Sequence, residues 1–212
     1  MSENHAMAFT RGFTGKRRGD RATRGDRLPP GQYDSGEDWP TLTAEATPRL
    51  TPEDWSITVD GLVEEQRTWS WSEAHALPGS TYAGDIHCVT TWSKFDMTFT
   101  GVSVDTLLDA ARPRPEAAYV MAHSSTGYTT NLPLEDLRGG RAWIVWEVGG
   151  TPLSVPHGGP VRLLVPHLYF WKSAKWVSRL ELMDRDRPGF WEANGYHDRG
   201  DPWLEQRYQG DP

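Results

Sequence analysis

The sequence predicts an α+β domain dominated by strands: strand-rich mixed sheets with short helices. Short apolar runs recur between Gly, Pro, Asn and Asp turn signals, the pattern of strands rather than of long helices. Only a few short segments carry helical caps or a 3.6-residue period. One cysteine, Cys88, is present in 212 residues, so no intrachain disulfide staples the fold. A chain of this length buries enough surface to do without one.

Residues 1–40 are rich in Gly, Arg, Asp and Pro and lack apolar periodicity. They read as a flexible basic arm and an extended lead-in, Leu28-Pro29-Pro30-Gly31, with order expected from Trp39 to Leu42. The main domain is expected over 41–185, followed by a wrapping tail over 186–212. Trp55, Ile57 and Val59 alternate with Ser56 and Thr58 as in a half-buried strand, and Asp60-Gly61 turns the chain. Ser70 and Glu73 stand at capping-box spacing, which predicts a helix to Leu77 that Pro78-Gly79 stops. Residues 81–89 read as a strand that delivers His87 and Cys88. Ser103 caps an expected helix over 104–111, with Val104, Leu107, Leu108 and Ala111 on one face and Pro113 beyond. Further strands are expected at 117–123, 128–132, 142–148, 161–165 and 176–183, with a short helix at 133–138. Aromatic residues spaced by turn residues predict that the tail wraps the body without regular structure.

Charge narrows the function. The net charge is −7, yet residues 1–27 carry a surplus of four positive charges, leaving −11 on the remainder. An acidic body is a poor nucleic-acid binder, which needs a basic folded face. No apolar run is long enough to span a membrane. No apolar stretch follows the basic pair Arg17-Arg18, so a secretory signal is not expected and a cytoplasmic location is. The histidines are scattered, with no HExxH and no paired cysteines, so no zinc site is expected.

Four constellations can carry chemistry. A lone cysteine is most often a small buried hydrophobe, and it becomes reactive or ligating only where positive charge or a metal lowers its pKa. Lys94 and His87 are near Cys88 in sequence, but His87 is adjacent and adjacent strand residues point to opposite faces. In Pro156-His157-Gly158-Gly159-Pro160-Val161-Arg162, the glycines admit close backbone approach and Arg162 interrupts an apolar strand, where a guanidinium needs an anion or fixed acceptors. Lys172 and Lys175 flank Ser173-Ala174 in an aromatic loop; with Arg162 they suit a phosphate, or they are solvated surface lysines. Tyr128 follows Gly127, with its hydroxyl either in a cleft or satisfied by backbone.

In this order, His87-Cys88-Val89-Thr90-Thr91-Trp92-Ser93-Lys94, Gly127-Tyr128 before Leu132-Pro133-Leu134, Gly150-Thr151-Pro152-Leu153, His157 to Arg162, and Lys172 to Trp176 resemble the molybdopterin-binding domain of the sulfite oxidase family. Cys-Val-x-x-Trp-Ser is similar to bacterial catalytic subunits related to methionine sulfoxide reductase. The resemblance covers about residues 40–185. It implies a molybdenum–molybdopterin cofactor without haem, with Cys88 as the thiolate on molybdenum. It implies that His157 and Arg162 contact the pterin, that Ser173, Ala174 and Lys175 surround its phosphate with Lys172 adjacent, and that Ser124 adds a hydroxyl. Tyr128 takes the place of the active-site tyrosine near the oxo group.

No haem domain is fused and no room remains for the family's immunoglobulin-like dimerisation domain, so a separate electron donor or acceptor is expected. Thr91 stands where short relatives often carry arginine. The expected activity is oxygen-atom transfer to or from a small substrate. The alternatives are a non-catalytic module that binds pterin or a partner, and a thiol enzyme pairing Cys88 with His87 or His157.

Overall fold

The computed structural model describes residues 25–212, and the counts below refer to these residues. Two mixed sheets carry the structure. The first joins β1 (Tyr33–Asp34), β5 (Trp92–Ser103), β8 (Trp143–Val148) and β10 (Arg162–Leu164) in that order, with β4 (Gly79–His87) on β5 and β9 (Thr151–Pro152) on β8. The second runs β3 (Arg67–Ser70), β2 (Ser56–Gly61), β11 (Val177–Met183), β6 (Tyr119–Ser124) and β7 (Thr129–Pro133). Only the β1–β5 and β2–β11 pairings are parallel.

Strand alternation makes two apolar layers. Ile57 and Val59 of β2, Val120 and Ala122 of β6, Val102, Ile144, Leu163 and Leu180 share the large core between the sheets. Helix α2 (Val104–Ala111) buries the face foreseen from its sequence, and Ser103 caps it by accepting from Asp105 N–H. Helix α1 (Trp71–Ala76) has the capping box of Ser70 and Glu73. The opposite face of the first sheet carries a smaller layer of Ile86, Trp92, Met97, Phe99, Val145 and Leu164, and Cys88 belongs to it. Arg162 is two residues from Leu164 and alternates with Leu163, so the pleat turns it toward that smaller layer.

The structure departs from the sequence reading at several places, and β3 and β9 were not foreseen. Order begins well before Trp39: Tyr33–Asp34 pairs with Trp92–Ser93, and Gln32 is buried. The rest of the basic arm, residues 1–24, lies outside the described residues. The long strand β5 was not foreseen; Gly101, Thr98 and Thr100 dilute its apolar signal, and tertiary pairing on both edges overrides weak propensity. The helix expected at 133–138 is a 3-10 turn, Leu134–Leu137. The tail is not wholly irregular, since it holds a 3-10 turn, Glu192–Asn194, and a bridge between Tyr196 and Tyr208.

At Gly101, beside a register shift, β5 packs directly against the β8 backbone. A Cβ there would lie 2.0 Å from the Ile144 carbonyl oxygen and 2.7 Å from Val145 Cα, both backbone atoms that cannot rotate away. Gly101→Ala is therefore expected to cost about 1–3 kcal/mol, as overpacking does. Urea unfolding of the variant checks this, and an unchanged midpoint would contradict it.

Candidate active site

Cys88 sits where β4 ends and the chain turns back. Its N–H donates to the Trp92 carbonyl at 2.8 Å, and Thr91 N–H donates to the Cys88 carbonyl at 3.0 Å. Thr91 holds this turn with φ 75°, a left-handed backbone rare for a β-branched residue. Gln32 Nε2 donates to the Cys88 carbonyl at 3.1 Å and ties the lead-in to the turn. The thiol is buried, and burial pushes its pKa up, opposed by the Thr90 hydroxyl at 3.1 Å from Sγ and by the charge of Arg162.

Arg162 is 1% exposed. Its Nη1 and Nη2 donate to the His157 and Ser173 carbonyls, each at 2.7 Å, and its guanidinium lies 3.9 Å from the Phe170 ring centroid. No carboxylate among the described residues pairs with it. Burial pushes its pKa down to about 9, only partly offset by Cys88 and Tyr128. A buried guanidinium normally has an anionic partner, because desolvation is otherwise uncompensated.

Lys175 bridges Arg162 across the backbone ladder. Its Nζ donates to the Leu42 and Pro156 carbonyls at 2.7 and 2.6 Å and also lacks a carboxylate within ion-pair distance among the described residues. Burial and then Arg162 push its pKa down to about 8. Gly158 keeps the loop tight against both cations. A Cβ on it would stand 3.0 Å from Arg162 Cβ and 3.2 Å from Lys175 Cβ, and its φ of 108° also favours glycine.

Residues 39–45 form a strap over this corner; the family resemblance implies an extended N-terminal contact to the pterin around residues 27–42, but it named no residue of the strap. Trp39 stacks on His157 with ring centroids 3.8 Å apart. His157 Nε2 donates to the Trp39 carbonyl at 3.0 Å, so Nδ1 accepts from Ser154 Oγ at 2.8 Å. Glu45 accepts from Tyr128 N–H at 3.2 Å and, at 3.5 Å, from the Ser124 hydroxyl. Burial pushes the Glu45 pKa up despite these bonds and the pull of Lys175.

The expected site residues separate into two groups. Cys88, Arg162 and Lys175 interact electrostatically as one cluster. His157 and Ser124 border it, with their polar atoms engaged by the strap and its neighbours. Ser173 and Ala174 act through backbone: the Ser173 carbonyl holds Arg162, its hydroxyl accepts from Val165 N–H at 2.9 Å, and the Ala174 carbonyl accepts from Leu163 N–H.

Two expected residues have protein partners. Lys172 is fully buried, and its Nζ bonds Glu192 Oε1 at 2.6 Å, the Asn131 carbonyl at 2.7 Å and the Asp198 carbonyl at 2.5 Å. The Tyr128 hydroxyl donates to the Trp171 carbonyl at 2.7 Å. Burial pushes the pKa of Tyr169, in the aromatic loop, and of Tyr196, in the tail, up.

Residues 44–191 match the oxidoreductase molybdopterin binding domain. The chain belongs to that family. It is an oxidoreductase of the sulfite oxidase type, 43% identical over 157 residues to YuiH of Bacillus subtilis (strain 168), an uncharacterized oxidoreductase; the match covers 74% of this chain and 79% of YuiH. More distant similarity reaches the protein-methionine-sulfoxide reductase catalytic subunit MsrP of Ralstonia nicotianae, 23% identical over 71% of this chain and 50% of that protein. A putative protein-methionine-sulfoxide reductase subunit of Azospira oryzae, YedZ1, is 26% identical over 66% of this chain and 53% of its own length. The chain therefore spans about half of these two relatives. The fold matches that of the sulfane dehydrogenase SoxCD from Paracoccus pantotrophus, with a TM-score of 0.61 over 87% of this chain and 60% of that one, at 16% identity.

The site suits the cofactor that defines the family. A buried guanidinium and a partly buried lysine, neither with a carboxylate partner among the described residues, call for an anion, and a phosphate-bearing pterin brings one. Trp92 Nε1 is a buried donor with no acceptor among the described residues, in the same apolar layer as Cys88. A thiol beside a guanidinium suits a soft metal centre.

Two outcomes follow. Lys172→Met strands the buried Glu192 carboxylate and is expected to cost about 3–5 kcal/mol of stability; unfolding that matches the wild type would contradict this. Lys175 is charged below its pKa of about 8 and neutral above it. Stabilisation of cofactor-free protein by inorganic phosphate, read as a Tm shift, should therefore shrink as pH rises from 7.5 to 9.5. A shift independent of pH would remove Lys175 from the anion site.

Proposed function

We propose that the chain transfers an oxygen atom to or from a small substrate at a molybdenum centre ligated by Cys88. The observation that carries this reading is a buried thiol beside a buried guanidinium, Arg162, with a partly buried lysine, Lys175, bridged to it, and neither cation paired with a carboxylate among the described residues. When bound, the cofactor supplies two-electron redox chemistry at molybdenum held by the pterin dithiolene.

The protein's own residues do the rest. Arg162 and Lys175 offset the negative charge of the cofactor in a setting from which Phe170, Trp39 and Trp92 exclude water. Such preset charges cost no reorganisation during reaction. The Thr90 hydroxyl donates toward Sγ and favours the thiolate over the thiol. Gln32 and the Thr91 turn fix the Cys88 backbone. A reducing compartment is part of this proposal, because the thiol must stay free until it is ligated. So is a separate electron partner.

Protein purified from a host that makes molybdopterin should carry close to one molybdenum and one pterin per chain. Cys88→Ser should retain pterin and lose turnover. Tyr128→Phe, which orphans the Trp171 carbonyl, should lose about 1–3 kcal/mol of stability and keep turnover. Metal at trace level in the wild type would contradict the proposal, and full loading without any redox response would favour a non-catalytic pterin-binding module.

A further inference from the structure

The turn that carries Cys88 is strained. Thr91 takes φ 75°, and a β-branched residue keeps such a backbone only where the surroundings over-determine it. The hairpin supplies two bonds of its own, from Cys88 N–H to the Trp92 carbonyl and from Thr91 N–H to the Cys88 carbonyl. The remaining support comes from the lead-in, where Gln32 precedes Cys88 by 56 residues. Tyr33 N–H donates to the Thr91 carbonyl at 2.8 Å and Ser35 N–H to the Ser93 carbonyl at 2.9 Å, so β1 runs along the outgoing arm of the turn.

Gln32 stands at the head of β1 and is 7% exposed. Its Nε2 donates to the Cys88 carbonyl at 3.1 Å, and its Oε1 accepts from the Ser93 hydroxyl at 3.3 Å. Antiparallel pairing sets His87 directly opposite Ser93, which puts both side chains on one face, and His87 Nδ1 lies 2.8 Å from Ser93 Oγ. A hydroxyl has one proton. Ser93 gives it to Gln32, so His87 Nδ1–H donates to Ser93. Asp85, the acid nearest His87 in the chain, takes no part: its carboxylate accepts from Arg27 and from Asp96 N–H.

The three bonds run head to tail, from His87 to Ser93, from Ser93 to Gln32 and from Gln32 to Cys88. The His87–Cys88 peptide bond closes the ring. Bonds aligned in this way polarise one another. His87 and Ser93 are buried, so water is a poor substitute for a lost member. The hydroxyl that donates to the sulfur is that of Thr90. The ring acts instead on the backbone that bears the sulfur.

We propose that Gln32 and Ser93 are positioning residues for the metal ligand: by holding the Cys88 carbonyl they set the direction in which its Cα–Cβ bond projects, and with it the overlap of the thiolate with the metal. This rests on Cys88 being the molybdenum ligand, as proposed above. Groups that hydrogen-bond a metal-binding residue orient it, and their loss typically changes metal affinity or activity by about 10–100-fold. The strain at Thr91 sharpens that dependence, because a strained turn relaxes when a tie is cut.

The test has two arms on the full chain. In cofactor-free protein, iodoacetamide labels Cys88 alone among thiols, since no other cysteine is present. Gln32→Met and Gln32→Glu keep the side-chain length and lose the amide donor, and Ser93→Ala loses the hydroxyl. Each should raise the alkylation rate at least tenfold, and by more than the change in unfolding equilibrium that urea measures on the same protein. Lys94→Met, which releases the lead-in carbonyls of Gly36 and Glu37 and leaves the ring whole, should react at the wild-type rate. In loaded protein, the Mo(V) electron paramagnetic resonance g-values should move in Gln32→Met and in Ser93→Ala, and the double variant should move no further than the singles, because both cut one ring. Lys94→Met should keep the wild-type spectrum. Protein that takes up no molybdenum fails the reading of Cys88 as ligand and still reports the ring through alkylation, so the two failures are distinct. Alkylation that follows the unfolding equilibrium alone, or g-values unchanged in both variants, would overturn the proposal.

Discussion

A guanidinium sealed from water without a counter-ion organises this molecule. Arg162 reaches the smaller apolar layer because a three-residue strand alternates Arg162, Leu163 and Leu164 across a sheet covered on both faces. Three backbone carbonyls accept from it, but none carries a full charge. Its depressed pKa states the same fact in another way: the charged form is less well served here than in water. An anionic cofactor of the kind this family's domain binds would supply the missing charge.

The neighbouring parts follow from that constraint. Lys175 adds a second cation, held by strap and loop carbonyls that orient it without neutralising it. Gly158 allows the loop to press against both. Other cations have carboxylate partners: Lys172 has Glu192, Arg141 has Asp136, and Arg179 has Asp60. Among these, Lys172 shows that burial alone does not mark the site, since it is as buried as Arg162 but neutralised.

Much of this was legible beforehand. Both capping motifs, the alternation in β2 and the apolar runs of β8 and β10 report local physics, and they gave elements near their true positions. Cys88, Arg162 and Lys175 were legible because each breaks an apolar or loop pattern in a way that requires an explanation. Lys172 and Tyr128 look the same in sequence as functional residues, and only the tertiary structure shows their partners in the tail and the 170–172 turn. Gln32, Trp39 and Glu45 were hidden for the opposite reason. They lie in a Pro- and Gly-rich stretch whose contacts are all long-range, so nothing local marks it as ordered.

The central claim is that the Cys88 sulfur is a metal ligand in the cation-lined layer. X-ray absorption at the molybdenum edge tests it most directly. Wild-type protein should show one sulfur neighbour beyond the dithiolene pair, and Cys88→Ser should lose that one while keeping the pair. A sulfur count that is the same in both proteins would contradict the account.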